Sequence, residues 1–253
     1  MMNYGCKGLN VVISGGTSGI GLATAEKFLA DGANVFILGR SFLRGTMAVQ
    51  KLQVLTGSKV FYVPCDVTNK EDCQKALASI GGMIDVLVNA AGVYQEQRLE
   101  NMTEEDFSNI FNTNVKGTLL LTQAALPYMY GGGSIVNIAS DAGISGNYGC
   151  PVYCASKGAI VALTKALALD YAPNIRVNCV CPADVDTPLL RKQLEDSNGG
   201  YTLDDMADAY PLGRIGRAEE IAHVICSVAS PHNSFMTGAV IPVDGGFSAY
   251  SGV

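Results

Sequence analysis

Leu9-Asn10-Val11-Val12-Ile13-Ser14 runs directly into Gly15-Gly16-Thr17-Ser18-Gly19-Ile20-Gly21, and this junction decides the fold. The first six residues form a short apolar run of the kind that makes a buried strand. Beyond the glycines, Ile20, Leu22, Ala23, Ala25, Phe28 and Leu29 recur at helical spacing from about 18 to 30, and Asp31-Gly32 stops the pattern. Glycines at such a junction allow a tight turn and a close backbone approach to a ligand. Free N–H groups at the helix start then face an anion. The glycine spacing is Gly-x-x-x-Gly-x-Gly, not Gly-x-Gly-x-x-Gly, and the Gly-Lys-Ser/Thr end of a P-loop is missing. Alone, the loop reads as readily as a plain turn. Set between a strand and a helix, it points to a dinucleotide.

The same alternation continues outward. Further strand patterns lie at 35–38, 59–63, 84–88, 135–139, 176–180 and 240–243. Helical patterns follow the second strand through Leu52, cover 103–129, and run from the region of Tyr153 to about Tyr171. The strands are apolar almost throughout, as in a parallel sheet buried on both faces. The expected fold class is α/β, a doubly wound parallel sheet of about seven strands with helices on both faces, in one domain over 1–253. The segment 183–211 is irregular, with Asp186-Thr187-Pro188 and Asn198-Gly199-Gly200. It follows a strand's carboxyl end, where open α/β sheets bind ligands, so it is expected to be a substrate lid.

Tyr153 and Lys157 stand four apart in Tyr153-Cys154-Ala155-Ser156-Lys157, which puts both on one helix face. An ammonium favours a phenolate, so the tyrosine pKa is expected to fall and its hydroxyl to serve as an acid and base. Ser140 follows the apolar run Ser134-Ile135-Val136-Asn137-Ile138-Ala139, where a hydroxyl could bond a substrate oxygen.

Composition limits the alternatives. The chain has 253 residues, 48% hydrophobic and 16% charged, with a net charge of −6 and no run of like charges. That argues against nucleic acid or an anionic membrane as a partner. Met1-Met2-Asn3-Tyr4-Gly5-Cys6 does not read as a signal peptide, and no apolar stretch is expected to span a membrane. A cytoplasmic location is expected. The eight cysteines have no zinc spacing and are read as free thiols, and no metal site is expected. Cys154, beside Tyr153, is the thiol to watch.

These motifs, in this order and spacing, resemble the short-chain dehydrogenase/reductase family in its single-domain branch. The resemblance runs from Ser14 to Gly246 and includes Asn89-Ala90-Ala91-Gly92, Asn114, Pro182 to Thr187 and Val243-Asp244-Gly245-Gly246. It implies a Rossmann fold and an NAD(P)(H)-dependent oxidoreductase that interconverts a ketone and a secondary alcohol. Tyr153 would be the acid/base and Ser140 would polarise the substrate oxygen. Lys157 would lower the Tyr153 pKa and hold the nicotinamide ribose, and Asn114 would bind a water linking Lys157 to solvent. Gly15, Ser18, Gly19, Ile20 and Gly21 would hold the cofactor at the loop. Asp66 and Val67 would meet the adenine, Asn89 would steady the central strands, and Val185 and Thr187 would hold the carboxamide. Gly39 stands where NAD enzymes of this type usually carry an acid, and Arg40 follows it, so NADP(H) is expected to be preferred, with NAD(H) also admitted. Ala183 replaces a glycine usual after Pro182.

The substrate is left open between a 3-oxoacyl group on acyl carrier protein and a small sugar, steroid or cyclic alcohol. Arg176, Arg191 and Lys192 are candidates for docking an acidic carrier, and Tyr94, Ile144, Tyr148 and Leu189 for shaping the pocket. The family resemblance also implies a homodimer or homotetramer. A cofactor-sensing binding protein and a sugar-nucleotide epimerase are the competing readings.

Overall fold

Apolar strands of Val, Ile and Leu set the architecture of the computed structural model, which describes residues 3–196 and 200–249. In chain order, β1 (Asn10–Ser14), α1 (Gly19–Ala30), β2 (Asn34–Gly39), α2 (Phe42–Thr56), β3 (Val60–Pro64), α3 (Lys70–Ile80) and β4 (Val86–Asn89) form the first half. The second half holds α4 (Glu104–Phe111), α5 (Gly117–Ala125), β5 (Gly133–Ile138), α6 (Pro151–Tyr171) and β6 (Ile175–Pro182). A short strand β7 (Val185–Asp186), helices α7 (Pro188–Asp196) and α8 (Leu203–Ala207), strand β8 (Gly216–Arg217), helix α9 (Ala218–Ala229) and strand β9 (Val240–Val243) complete the described residues.

Seven strands pair in the order β3-β2-β1-β4-β5-β6-β9, parallel at every junction. Successive residues of a strand point to opposite faces, so each strand feeds two cores. Val11 and Ile13 join Phe28, Leu52, Ile221 and Ile225 on one side. Val12 joins Leu77, Leu121, Ile135 and Val177 on the other. Each such large side chain contributes about 1.5–3 kcal/mol on leaving water. The strand order reverses between β1 and β4, and the crevice outside their carboxyl ends is where such sheets bind ligands.

Two sequence expectations change. The helical pattern over 103–129 is not one helix: α4 passes into a π-helical turn, Asn112–Lys116, before α5 begins at Gly117. Gly117 permits the close approach there, since a Cβ on it would lie 2.7 Å from Val67 Cγ2. Helix α6 is, by length and composition, long and apolar enough to cross a membrane, contrary to the expectation that no stretch would be. In this fold it packs Ile160, Thr164 and Ala168 inward and carries the buried Lys157. A small parallel pair, β7 with β8, was not legible in the sequence. Of the segment expected to form a lid, α7, α8 and Gly200 are described, while Asn198-Gly199 lies outside the described residues.

Candidate active site

Ser140 stands two residues beyond β5 in extended backbone, Tyr153 in the first turn of α6 and Lys157 one turn later. All three line one cavity of about 320 Å³, whose walls include Ile20, Tyr94, Asp184 and Leu189. The Lys157 ammonium donates to the Ile138 carbonyl at 3.0 Å and lies 5.7 Å from the centre of the Tyr153 ring. The edge of Tyr94 packs against that ring, with centroids 4.8 Å apart.

The expected fall in the Tyr153 pKa does not occur. Burial pushes it above the ordinary phenol value, and the Ser140 hydrogen bond only partly offsets this. Lys157 is itself pulled down to about 8 by burial, with the Cys179 and Cys181 sulfurs acting the other way. The sequence argument weighed the charge pair and omitted desolvation, which acts on both groups. The outcome is a tyrosine that holds its proton at neutral pH beside a lysine that is mostly charged.

Asn114 is buried within the π-helical turn, and its side chain is spent on the neighbouring chain. Its Oδ1 accepts Val93 N–H at 2.8 Å, and its Nδ2 donates to Val93 O at 3.0 Å and Ser156 Oγ at 3.1 Å. The amide therefore fixes the loop that follows β4, with no side-chain donor left for a water. A Cβ at Gly92 would lie 3.3 Å from Asn114 Oδ1 and 3.6 Å from Lys157 Nζ, so these two polar groups flank Gly92. Asn89 sits in a buried chain: its Nδ2 donates to Thr122 Oγ1 and Asn137 Oδ1, and Asn137 donates to Thr164 Oγ1. These bonds tie β4 and β5 to α5 and α6. Asn89 Oδ1 is buried without a protein partner.

A second cavity of about 130 Å³ opens at the ends of β1, β2 and β3, and the two cavities share Gly92 and Val93 as lining. Gly15, Thr17, Arg40, Arg44, Asp66 and Val67 are among its walls. Gly15 has φ +67, and a Cβ there would lie 2.8 Å from the Ala90 carbonyl. A Cβ on Gly21 would overlap the Gly15 carbonyl. The loop can thus carry no side chain at these points. At the start of α1, Ser18 makes no side-chain cap, whereas Ser41, Asn69 and Thr103 cap α2, α3 and α4. The first N–H groups of α1 therefore have no side-chain cap, the arrangement that suits an anion. Gly19 faces the lid, where a Cβ would touch Thr187 at 3.3 Å. Cradle, bare helix start and the continuous crevice fit a dinucleotide whose nicotinamide end reaches the substrate cavity. Asp66 accepts from Thr68 N–H and Oγ1 at 3.0 and 2.8 Å, which holds its carboxylate at the wall of this second cavity.

Val185, Thr187 and Ala183 line the substrate cavity. The extra methyl of Ala183 leaves β6 joined to β9, with Ala183 N–H donating to Val243 O at 3.3 Å. Tyr94, Tyr148 and Leu189 also line the cavity, whereas Ile144 lies outside its walls and is exposed. Arg176 is no docking residue: its guanidinium donates to the Val228, Ala229, Ser230 and Met236 carbonyls, which closes the end of α9. Arg191 is held by Asp186 at 2.8 Å, so two of the three cations are already engaged within the fold.

Three features escaped the sequence reading. Arg44 adds a second guanidinium to the second cavity, and its four-residue spacing from Arg40 was the available signal. Asp141 is buried next to Ser140 and accepts its hydroxyl at 2.7 Å, and burial raises its pKa. A bridge joins α7 to the loop after β4: Gln193 donates to Tyr201 Oη at 2.7 Å, and Tyr201 donates to Glu96 at 2.8 Å.

Comparison with known proteins agrees with this geometry. Residues 15–248 match the family described as enoyl-(acyl carrier protein) reductase. The chain is 39% identical to the 3-oxoacyl-(acyl-carrier-protein) reductase FabG of Thermotoga maritima, covering 93% of this chain and 96% of that one. The ligand-free aldohexose dehydrogenase of Thermoplasma acidophilum superposes with a TM-score of 0.89 at 32% identity, covering 100% and 98% of the two chains. A variant actinorhodin polyketide ketoreductase with NADPH gives 0.92 at 29% identity, covering 99% and 100%. The chain belongs to the short-chain dehydrogenase/reductase family. It is a nicotinamide-dependent oxidoreductase that interconverts a ketone and a secondary alcohol.

Proposed function

We propose that the protein is an NADPH-preferring reductase of a small polar ketone, and runs in reverse as an alcohol dehydrogenase. One observation carries the choice of substrate: the lid is acidic. Residues 183–211 hold seven carboxylates, Asp184, Asp186, Glu195, Asp196, Asp204, Asp205 and Asp208, against Arg191 and Lys192 alone. A like-charged acidic carrier protein is repelled by such a mouth. The cavity behind it is small and rimmed with tyrosine hydroxyls, a glutamine and carboxylates, which suit a hydroxylated molecule.

Arg40 and Arg44 support the cofactor preference, as guanidinium groups bind a 2′-phosphate in charge-assisted bonds. The α1 start with Gly15, Ser18, Gly19, Ile20 and Gly21 would hold the pyrophosphate. Asp66 and Val67 would hold the adenine, and Val185 and Thr187 the carboxamide. Asn89 would hold the central strands in register beside the cofactor. Bound nicotinamide supplies the hydride. The chain's own residues do the rest: Lys157 orients the ribose, Ser140 turns its one hydroxyl hydrogen from Asp141 to the carbonyl oxygen, and Tyr153 delivers the proton. A raised Tyr153 pKa suits it to keep that proton until the oxygen gains charge. Asn114 is a positioning residue through Val93.

The chain would work as one domain with 183–211 as its lid, in the cytoplasm, where its free thiols stay reduced. Exposed Phe107, Leu119 and Leu169 on α4, α5 and α6 support self-association into a homodimer or homotetramer. A 3-oxoacyl thioester is the second reading, favoured by the likeness to the Thermotoga reductase. NADPH oxidation with acetoacetyl thioester beside a panel of hydroxyketones, hexoses and cyclic ketones decides between them. Preferred turnover of a small polar ketone is the expected result; preferred turnover of the thioester overturns the choice.

A further inference from the structure

Two of the free thiols bracket Tyr153. Cys150 is the residue before α6, with φ −141 and ψ 49, and Cys154 lies four residues on. Their sulfurs are 3.8 Å apart, in van der Waals contact. Four residues of helix rise span about 6 Å, inside the Cα separation of roughly 4.4–6.8 Å that disulfides accept. Because Cys150 is not helical, it can adjust to let the bond close.

The two thiols are not equivalent. Cys154 is half-open to solvent and Cys150 is buried. Cys154 Sγ lies at the start of α6 and meets Asn147, accepting its N–H at 3.3 Å and approaching its carbonyl at 3.8 Å. Burial pushes the Cys150 thiol up to about 12, so it keeps its proton. The protein also holds a contrasting pair. Cys179 and Cys181 have sulfurs 3.7 Å apart but are wholly buried in β6, out of reach of an oxidant. Access, not contact, distinguishes Cys150 and Cys154.

We propose that Cys150 and Cys154 are a peroxide-sensitive dithiol whose disulfide disables Tyr153. The Cys154 thiolate attacks one oxygen of hydrogen peroxide, the O–O bond breaks, and the departing hydroxide takes a proton to become water. Cys154 is then a sulfenic acid. Cys150 sulfur attacks Cys154 sulfur, the S–O bond breaks, and the hydroxide released takes the Cys150 proton as a second water. Two thiols lose two electrons and one peroxide gains them. Closing the bond draws the sulfurs from 3.8 Å to roughly 2.05 Å. Tyr153 lies within the bridged turn, and the ring of Tyr94 packs on Tyr153. Both aromatic walls of the cavity are therefore pulled. A misplacement of about 1 Å at a reacting group costs on the order of 100-fold in rate.

The loss of turnover rests on the proposed reductase activity, whereas bridge formation does not and is read separately. The purified chain is exposed to hydrogen peroxide, digested, and the peptide holding Cys150 and Cys154 is weighed. The expected result is a loss of two hydrogens from that peptide, with NADPH-linked turnover falling by about 100-fold and both restored by dithiothreitol. Cys154→Ser is expected to form no bridge and to keep its turnover under peroxide. Cys150→Ser is expected to stop at a sulfenic acid that dimedone traps. An unbridged peptide after peroxide overturns the dithiol. A bridged peptide with undiminished turnover, or equal inactivation of Cys154→Ser, overturns the switch.

Discussion

The two cavities at the carboxyl edge of the sheet share Gly92 and Val93, yet they carry opposite charge. The smaller cavity, proposed for the adenosine end, is walled by Arg40 and Arg44, one just past β2 and one in the first turn of α2. The larger cavity, proposed for the substrate, is walled by Asp141 and Asp184 and bordered by the acidic segment 183–211. The first is fixed by strand pairing, and Tyr62 Oη donates to Gly39 O at 2.8 Å to hold the end of β2. The second is closed by side-chain bonds from Gln193 and Tyr201 to the β4 loop. On the proposed assignment, cofactor choice lies in the rigid half and substrate choice in the half joined by polar contacts.

The comparison can be broken most sharply where the cavities meet. Ser140→Ala is expected to lower kcat by about 10²–10³-fold, as loss of one oxyanion donor does, with the NADPH dissociation constant unchanged; stopped-flow turnover beside titration of NADPH fluorescence checks both. Next comes the rigid half. Arg40→Ala should raise the KM for NADPH by roughly 10–100-fold, the worth of a charge-assisted bond, and leave the KM for NADH nearly unmoved. Gly39→Asp is the reciprocal change: its Cβ would lie 3.0 Å from Thr17 Cγ2, tight but open to adjustment, and the carboxylate should turn preference towards NADH. Equal effects of Arg40→Ala on both cofactors would contradict the assignment.

Burial of Lys157 sets a pH limit. Its pKa of about 8 lies below the usual 10.5, so the ammonium is present below pH 8 and is lost as pH rises through it. Ketone reduction is expected to bend downward there, because Tyr153 titrates higher and still holds its proton. Stability moves the other way: the unfolded lysine binds its proton up to about 10.5, so this residue's contribution rises between pH 8 and 10.5. A pH profile of kcat/KM and denaturation curves across this window test the two signs. The smallest effect belongs to the lid. Tyr201→Phe removes the bond to Glu96, worth about 0.5–1.5 kcal/mol, and should raise the substrate KM by a few-fold while the NADPH KM stays put.

Much of this was legible in the sequence because strands and the glycine loop are set by local pattern. The apolar run at β1 and the helical spacing of α1 placed the first crevice within a residue or two. The seven-strand parallel sheet followed from continuous Val and Ile runs. What was hidden depends on depth or distance. The π-helical turn at Asn114 is set by backbone hydrogen bonding over five residues, which a helical apolar pattern over 103–129 does not report. The Tyr153 pKa direction is set by burial, which pairing along one helix face does not report. Asp141 reads as a turn residue until the fold buries it against Ser140. Arg176 reads as a surface cation until α9 ends over it.

The central claim, that Tyr153 is the proton donor in NADPH-linked ketone reduction, is tested most directly by turnover and NADPH affinity of Tyr153→Phe measured side by side. The account predicts a turnover loss of about 10²–10⁴-fold with NADPH binding retained. Turnover near that of the unaltered chain would contradict it.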